Sequence, residues 1–225
     1  MKAPNRIRAL LLLPLAAAAP VAFAVPDSAT PAPTSANAPP NEVQANTTYN
    51  VALSSLREGD GLESDAAKTK SEAKRKEQLG WAQDSYKRAR GLFEETTRAA
   101  PQMPEAWNGL GYTSRKSGDY PAALAAYDKA IALRPGYPEA TEYRAEAYLG
   151  LGRVDDAKQA YLDLFASNRV IAGQLLTAMQ KWIEGAKSGS DAAKATELEK
   201  WVQERSQIAA QTAALTRDST ATGWN

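Results

Sequence analysis

The sequence predicts an all-α fold, a solenoid of tandem helix-turn-helix hairpins with flanking capping helices. Three observations lead there. Residues recur at a spacing of 34: Pro101 with Pro135, Pro104 with Pro138, Gly118 with Gly152, Ala123 with Ala157, and Tyr127 with Tyr161. The apolar residues between them fall at helical rather than alternating spacing. Pro104, Pro121 and Pro138 sit where a first helical turn accepts proline, and Gly118 and Gly152 sit where a helix end needs a left-handed residue. A fixed period of this length marks stacked units, none of which buries its apolar face alone.

Composition narrows the chemistry. The 225 residues carry 27 Lys+Arg against 26 Asp+Glu and contain no His and no Cys. There is no thiolate, no disulfide framework, no imidazole base and no soft-metal ligand set. Neither a metal nor a cofactor is expected. The near-zero net charge lacks the basic footprint of a nucleic-acid binder. An enzyme would have to work with two carboxylates, and nothing in the pattern sets two acids across a pocket. No catalytic role and no small-molecule substrate are expected.

Along the chain, residues 1–24 read as a signal peptide. Lys2, Arg6 and Arg8 precede an apolar run, and Ala22-Phe23-Ala24 supplies small residues at a cleavage point between Ala24 and Val25. The run is too short and too proline-broken for a membrane span, so no span is expected after removal. Cleavage removes three cations and no acids, leaving 24 Lys+Arg against 26 Asp+Glu, a net charge of −2. Export without cysteine points to a bacterial periplasm. Residues 25–48, rich in Pro and Ala, read as a disordered linker. Residues 49–103 read as N-terminal helices: a short one from Asn50 to Arg57, a break at Glu58-Gly59-Asp60-Gly61, and a long one capped by Ser64 and running to about Arg98. Two repeats follow at 104–137 and 138–171. Residues 172–216 form capping helices, with Ile171, Leu175, Met179, Trp182 and Ile183 on one stripe and Ser190 capping the last helix. Residues 217–225 are expected to fray.

The repeats resemble the tetratricopeptide repeat family, whose pattern is W-x2-L-G-x2-Y, A-x3-F and a closing P over 34 residues. The first carries Trp107, Leu110, Gly111, Ala123, Tyr127 and Pro135, and the second carries Ala145, Tyr148, Ala157 and Tyr161. The first family Tyr is Ser114 here, and Arg169 stands at the second closing Pro. Upstream, Ala89, Phe93 and Pro101 match a second helix alone. Small residues at Gly111 with Ala123, and at Ala145 with Ala157, would let paired helices approach closely. The rings of Tyr127 and Tyr161 would pack toward the next repeat.

The resemblance implies a protein-interaction scaffold whose first helices line a groove for a partner peptide or helix. Helical geometry then selects Glu105, Asn108, Tyr112 and Arg115 on the first repeat, and Glu139, Glu142, Tyr143 and Glu146 on the second. These residues predict an acidic, aromatic groove suited to a basic or mixed peptide and unlike the family's carboxylate clamp. The partner is an unknown protein, not nucleic acid. A second reading is a structural homo-oligomer, pairing through the long N- and C-terminal helices.

Overall fold

The computed structural model describes the backbone of residues 40–221 and the side chains of residues 41–214. The expected signal peptide, its Ala24–Val25 cleavage point and linker residues 25–39 lie outside the described residues. Eight helices follow one another among the described residues: α1 (Pro40–Lys68), α2 (Glu72–Ala99), α3 (Pro104–Lys116), α4 (Tyr120–Leu133), α5 (Pro138–Gly150), α6 (Val154–Ser167), α7 (Arg169–Ala186) and α8 (Ala192–Ala221). No strand occurs among the described residues. Sequential helices pair as four hairpins, and each hairpin packs on the next. The fold is the expected all-α repeat solenoid.

The turns repeat as the sequence does. At the end of α3 the amide of Asp119 donates to Ser114 O at 2.9 Å, and that of Gly118 donates to Arg115 O at 2.9 Å. The same two bonds recur 34 residues on, from Arg153 to Tyr148 O and from Gly152 to Leu149 O, each 2.9 Å. These are Schellman closures, and they need the positive φ that Gly118 (79°) and Gly152 (66°) adopt. Asp119 then caps α4 by accepting from the Ala122 amide at 3.2 Å. The residue 34 further on, Arg153, holds the cap position of α6, and Asp155 lies in its first turn. Asn168 serves two helices at once. Its amide donates to Leu164 O at the end of α6, and its side chain accepts from the Ile171 amide at the start of α7.

Packing runs on rings lodged against small residues. Phe93, Tyr127 and Tyr161 stand 34 apart, and all three are buried. Ala89, Ala123 and Ala157, one turn earlier, are buried with them. A Cβ on Gly111 would lie 2.5 Å from the Tyr127 ring, so that ring, rather than Ala123, fills the notch in α3. A Cβ on Gly109 would meet Phe93 of the preceding hairpin at 2.5 Å. The indole of Trp107 donates to Pro101 O at 2.9 Å and ties α3 to the turn before it. Tyr148 lies under the Arg153 guanidinium, whose carbon is 4.4 Å from the ring centre. Leu110 is half-buried, Pro135 is exposed and Ala145 is fully buried.

The N-terminal third differs from the expectation. α1 is one helix that starts at Pro40, inside the expected linker, and runs straight through residues 58–61. Glycine disfavours a helix interior by about 1 kcal/mol, but tertiary packing overrides that preference here. Gly59 is buried, and a Cβ there would sit 2.6 Å from the Tyr86 ring of α2. Ser64 lies within α1, and the cap of the next helix is Ser71, which accepts from the Lys74 amide at 3.4 Å. The apolar stripe of α2, considered above for pairing between copies, is buried against α1 and α3 of the same chain. α8 begins two residues after Ser190, and its backbone stays helical to Ala221, past the point where fraying was expected.

Gly111→Ala is expected to destabilise the fold by about 1–3 kcal/mol, because the fully buried Tyr127 ring cannot retreat. Gly91→Ala, at an open helical position, should instead stabilise by about 0.4–1 kcal/mol. Urea unfolding of both variants checks this; equal effects would contradict the ring-in-notch packing.

Candidate functional site

The first helices of successive hairpins lie side by side, with α3 between α1 and α5, and α5 against α7. Their C-terminal halves enclose a cleft of about 340 Å³. α3 contributes Tyr112, Arg115 and Lys116, α5 contributes Glu146, Leu149 and Gly150, and α7 contributes Ala178, Lys181 and Trp182. Each set follows the i, i+3, i+4 spacing that puts three side chains on one helical face. The α5 set lies 34 residues after the α3 set. Glu63 of α1, Tyr120 of α4 and Tyr143 of α5 complete the walls.

Four of the eight groove residues selected from the sequence line this cleft: Tyr112, Arg115, Tyr143 and Glu146. Glu142 is only 4% exposed and sits behind the wall. Asn108 is equally buried, and its Oδ1 has no hydrogen-bond partner. Glu105, in the first turn of α3, pairs with Arg134 at the end of α4. Glu139 lies in the first turn of α5, also away from the cleft. The sequence reading missed Asp60 and Glu63, because residues 58–61 read as a break, and it gave Tyr86 no place in the site. It also missed Lys116, Tyr120, Leu149, Gly150, Ala178 and Lys181; Trp182 had been assigned only to a packing stripe. The 34-residue period, applied to Arg115 and Lys116, points to Leu149 and Gly150.

The aromatic rings form one connected set. Tyr112 meets Tyr143 edge-on at 5.2 Å between centroids and Tyr86 at 6.4 Å, while Tyr143 lies 6.3 Å from Tyr127. Asp60 anchors the set: its Oδ1 accepts from the Tyr86 hydroxyl at 2.8 Å and from the Tyr112 hydroxyl at 2.7 Å. One carboxylate thus joins α1, α2 and α3. Burial pushes the Asp60 carboxyl above its ordinary range, against the lowering pull of those two hydroxyls and of Lys116. Burial also pushes the Tyr86, Tyr112 and Tyr143 phenols up, so their hydroxyls remain protonated.

Four of the five charged side chains that line the cleft are paired with one another. Arg115 pairs with Glu146 at 14% and 15% side-chain exposure, and Lys116 pairs with Glu63. The Arg115 guanidinium lies 5.0 Å from the Tyr112 ring centre and 5.5 Å from that of Tyr143. Lys116 Nζ lies 5.1 Å from the Tyr86 ring centre. Burial opposes the Arg115 charge most, but Glu146 together with the Tyr127 and Tyr112 side chains outweighs it, holding the group well above its ordinary range. Glu142 is driven well above the usual carboxylate range, first by burial and then by Glu146 beside it. Of the four glutamates expected to make the groove acidic, Glu146 is paired within it, Glu142 is buried behind it, and Glu105 and Glu139 lie outside.

No group of three or more candidate metal ligands occurs among the described residues. No described helix is long and apolar enough to cross a membrane. Stacked helix hairpins whose first helices share one cleft define a helical-repeat interaction scaffold. Residues 79–138 and residues 114–179 each match a tetratricopeptide repeat model, so the chain carries tetratricopeptide repeats within 79–179. Such repeats are typically non-catalytic modules that bind other proteins. No curated protein matches the chain significantly.

Asp60→Ala would leave two buried hydroxyls without their acceptor, and should cost about 2–4 kcal/mol in denaturant unfolding. Asp60→Asn, which keeps an acceptor oxygen, should cost clearly less; equal losses would mean that only the charge matters. Glu142 sets a pH dependence. Its folded-state carboxyl binds a proton more tightly than the unfolded one, so its stabilising contribution is full below the unfolded pKa of about 4.3 and is lost as pH rises through the raised folded value. Glu142→Gln should raise the melting temperature at about pH 7 and have a smaller effect at about pH 5. A pH-independent difference would contradict the raised carboxyl.

Proposed function

We propose that the chain is an exported, periplasmic scaffold that holds a segment of a partner protein in the cleft built by α3, α5 and α7. The observation that carries this reading is the cleft itself. Equivalent faces of three successive first helices converge on one space lined by Tyr112, Tyr143 and Trp182. Large, stiff rings supply contact area at low entropic cost, which is why Tyr and Trp dominate binding hot spots. Export is supported by the layout of residues 1–24.

A photocrosslinking residue placed at Ala178, in the cleft, should trap a defined protein in intact cells. The same residue at Ala132, on the exposed face of α4, should not. Equal labelling from both positions would count against the cleft. The mature chain recovered from the periplasmic fraction should begin at Val25, and recovery of an uncut chain from the cytosol would remove the export half of the proposal.

A further inference from the structure

The first hairpin is built on a different scale from the repeats. α1 and α2 are 29 and 28 residues long, whereas α3 to α6 have 13 or 14. The extra length runs past the repeat body. Lys116, the last residue of α3, pairs with Glu63 of α1, and its carbonyl accepts from Gln83 Nε2 of α2 at 3.1 Å. From Gln83 back to Glu72, the first residue of α2, the helix rises by roughly 16 Å. The α1–α2 turn therefore stands roughly 16 Å beyond the end of α3. Ala66 is fully buried, so the two helices stay packed past that level.

This tip is where the chain concentrates positive charge. Lys68, Lys70, Lys74, Arg75 and Lys76 are all exposed and fall in one short run, with Glu72 the one acid among them and Glu77 just after. Lys68 is matched to Asp65 at 3.2 Å, and Arg75 Nη2 donates to Thr69 O at 3.3 Å across the turn. Lys70, Lys74 and Lys76 form no ion pair among the described residues. The rest of the chain has the opposite sign. Residues 25–225 carry 24 Lys+Arg against 26 Asp+Glu, which leaves 19 against 25 outside residues 68–76.

A molecule charged in this way meets an extended anionic surface tip first. The tip is attracted, and the acidic body is held off by more than the Debye length of about 8 Å at physiological salt. A small anionic ligand would not need that projection. Four of the five cations are Lys, flexible point charges without the fixed fork of Arg. They suit a fluid array of headgroups better than one oriented phosphate or carboxylate. Trp81 is exposed on α2 and lies two turns after Lys74 on the same helical face, and Trp favours the boundary between membrane and water.

We propose that the α1–α2 tip docks the protein reversibly on a membrane surface rich in anionic lipid headgroups. Lys70, Lys74 and Lys76 make the contact, and the repeat body is held clear of the surface. The docking is independent of what the cleft holds.

The test is co-sedimentation of the full mature chain with vesicles of phosphatidylcholine, alone or mixed with phosphatidylglycerol, at about 0.05 and 0.5 M salt. Binding should be confined to the anionic vesicles and lost at the higher salt. Lys70→Gln/Lys74→Gln should weaken it about thirtyfold, since each cation at the surface contributes a factor of about five. Lys129→Gln/Lys200→Gln removes two exposed lysines of the body and should change it by less than about threefold. Unchanged helical signal and melting temperature verify the fold of both variants. Because the chain has no cysteine, a polarity-sensitive dye can be attached at Ala73→Cys on the tip or at Ala132→Cys on the body. Only the tip dye should respond to anionic vesicles. Absence of binding at low salt, equal binding to neutral vesicles, equal losses from the two lysine pairs, or a response from both dyes would each overturn the proposal. Tighter binding of soluble polyglutamate or DNA than of anionic vesicles would assign the tip to a polyanionic macromolecule and overturn the membrane assignment. None of these outcomes bears on the crosslink from Ala178, so the cleft and the tip stand or fall separately.

Discussion

The architecture rests on rings pressed against helix backbone. Gly59 receives Tyr86, Gly109 receives Phe93 and Gly111 receives Tyr127, each at a distance a Cβ could not share. These contacts bring one helix close to the next both within a hairpin (Tyr86 on α1, Tyr127 on α3) and between hairpins (Phe93 on α3). Burying an aromatic ring stabilises by roughly 1.5–3 kcal/mol, so three such contacts are large against the total stability of a domain. Their geometric effect matters as much. With α2 lodged against α1 and α3, and α4 against α3, the rings of Tyr86, Tyr112, Tyr127 and Tyr143 come within contact range, and Tyr112 and Tyr143 form part of the cleft wall. The buried polar groups then follow, with Asp60 placed where two hydroxyls from different helices converge.

The second organising feature is that charge in the cleft is spent on the fold. Arg115 and Glu146 join α3 to α5, and Lys116 and Glu63 join α3 to α1. Mostly buried ion pairs are weak evidence for stability, because desolvation opposes the attraction. They do fix relative helix position, since each pair requires its two helices in one register. Four of the five charged side chains that line the cleft are thereby committed to holding its helices in register.

The fold could be read from the sequence where the period was intact. The spacing of Gly118 to Gly152 and of Phe93 through Tyr127 to Tyr161 specified the turns and the core rings, because each residue type met the same backbone demand in successive hairpins. Reading failed where local propensity and tertiary packing disagreed. Glu58-Gly59-Asp60-Gly61 has the composition of a turn, yet Gly59 is small because Tyr86 packs there and Asp60 is acidic because two tyrosines donate to it. Neither partner is near in sequence, at 26 and 52 residues from Asp60. For the same reason the site was half visible. Helical geometry identified the face of Tyr112, Arg115, Tyr143 and Glu146, but pairing between helices decided which of its charges remained available. That pairing depends on contacts 31 residues apart for Arg115 with Glu146 and 53 for Lys116 with Glu63, which no local pattern encodes.

The double duty of Asn168 gives the solenoid a stiff joint. One residue ends α6 with its amide and begins α7 with its side chain, so no loop intervenes to absorb a change of angle. Any swing of α7 away from α5 must therefore drag the end of α6 with it or break a cap. The α7 wall, carrying Ala178 and Trp182, thus has its position governed from the rear layer of the solenoid, behind the surface a partner touches. The width of the cleft is in this sense a property of the stack and not of the helices that line it, and a ligand too large for the gap would have to bend the spring formed by α6 and α7 together.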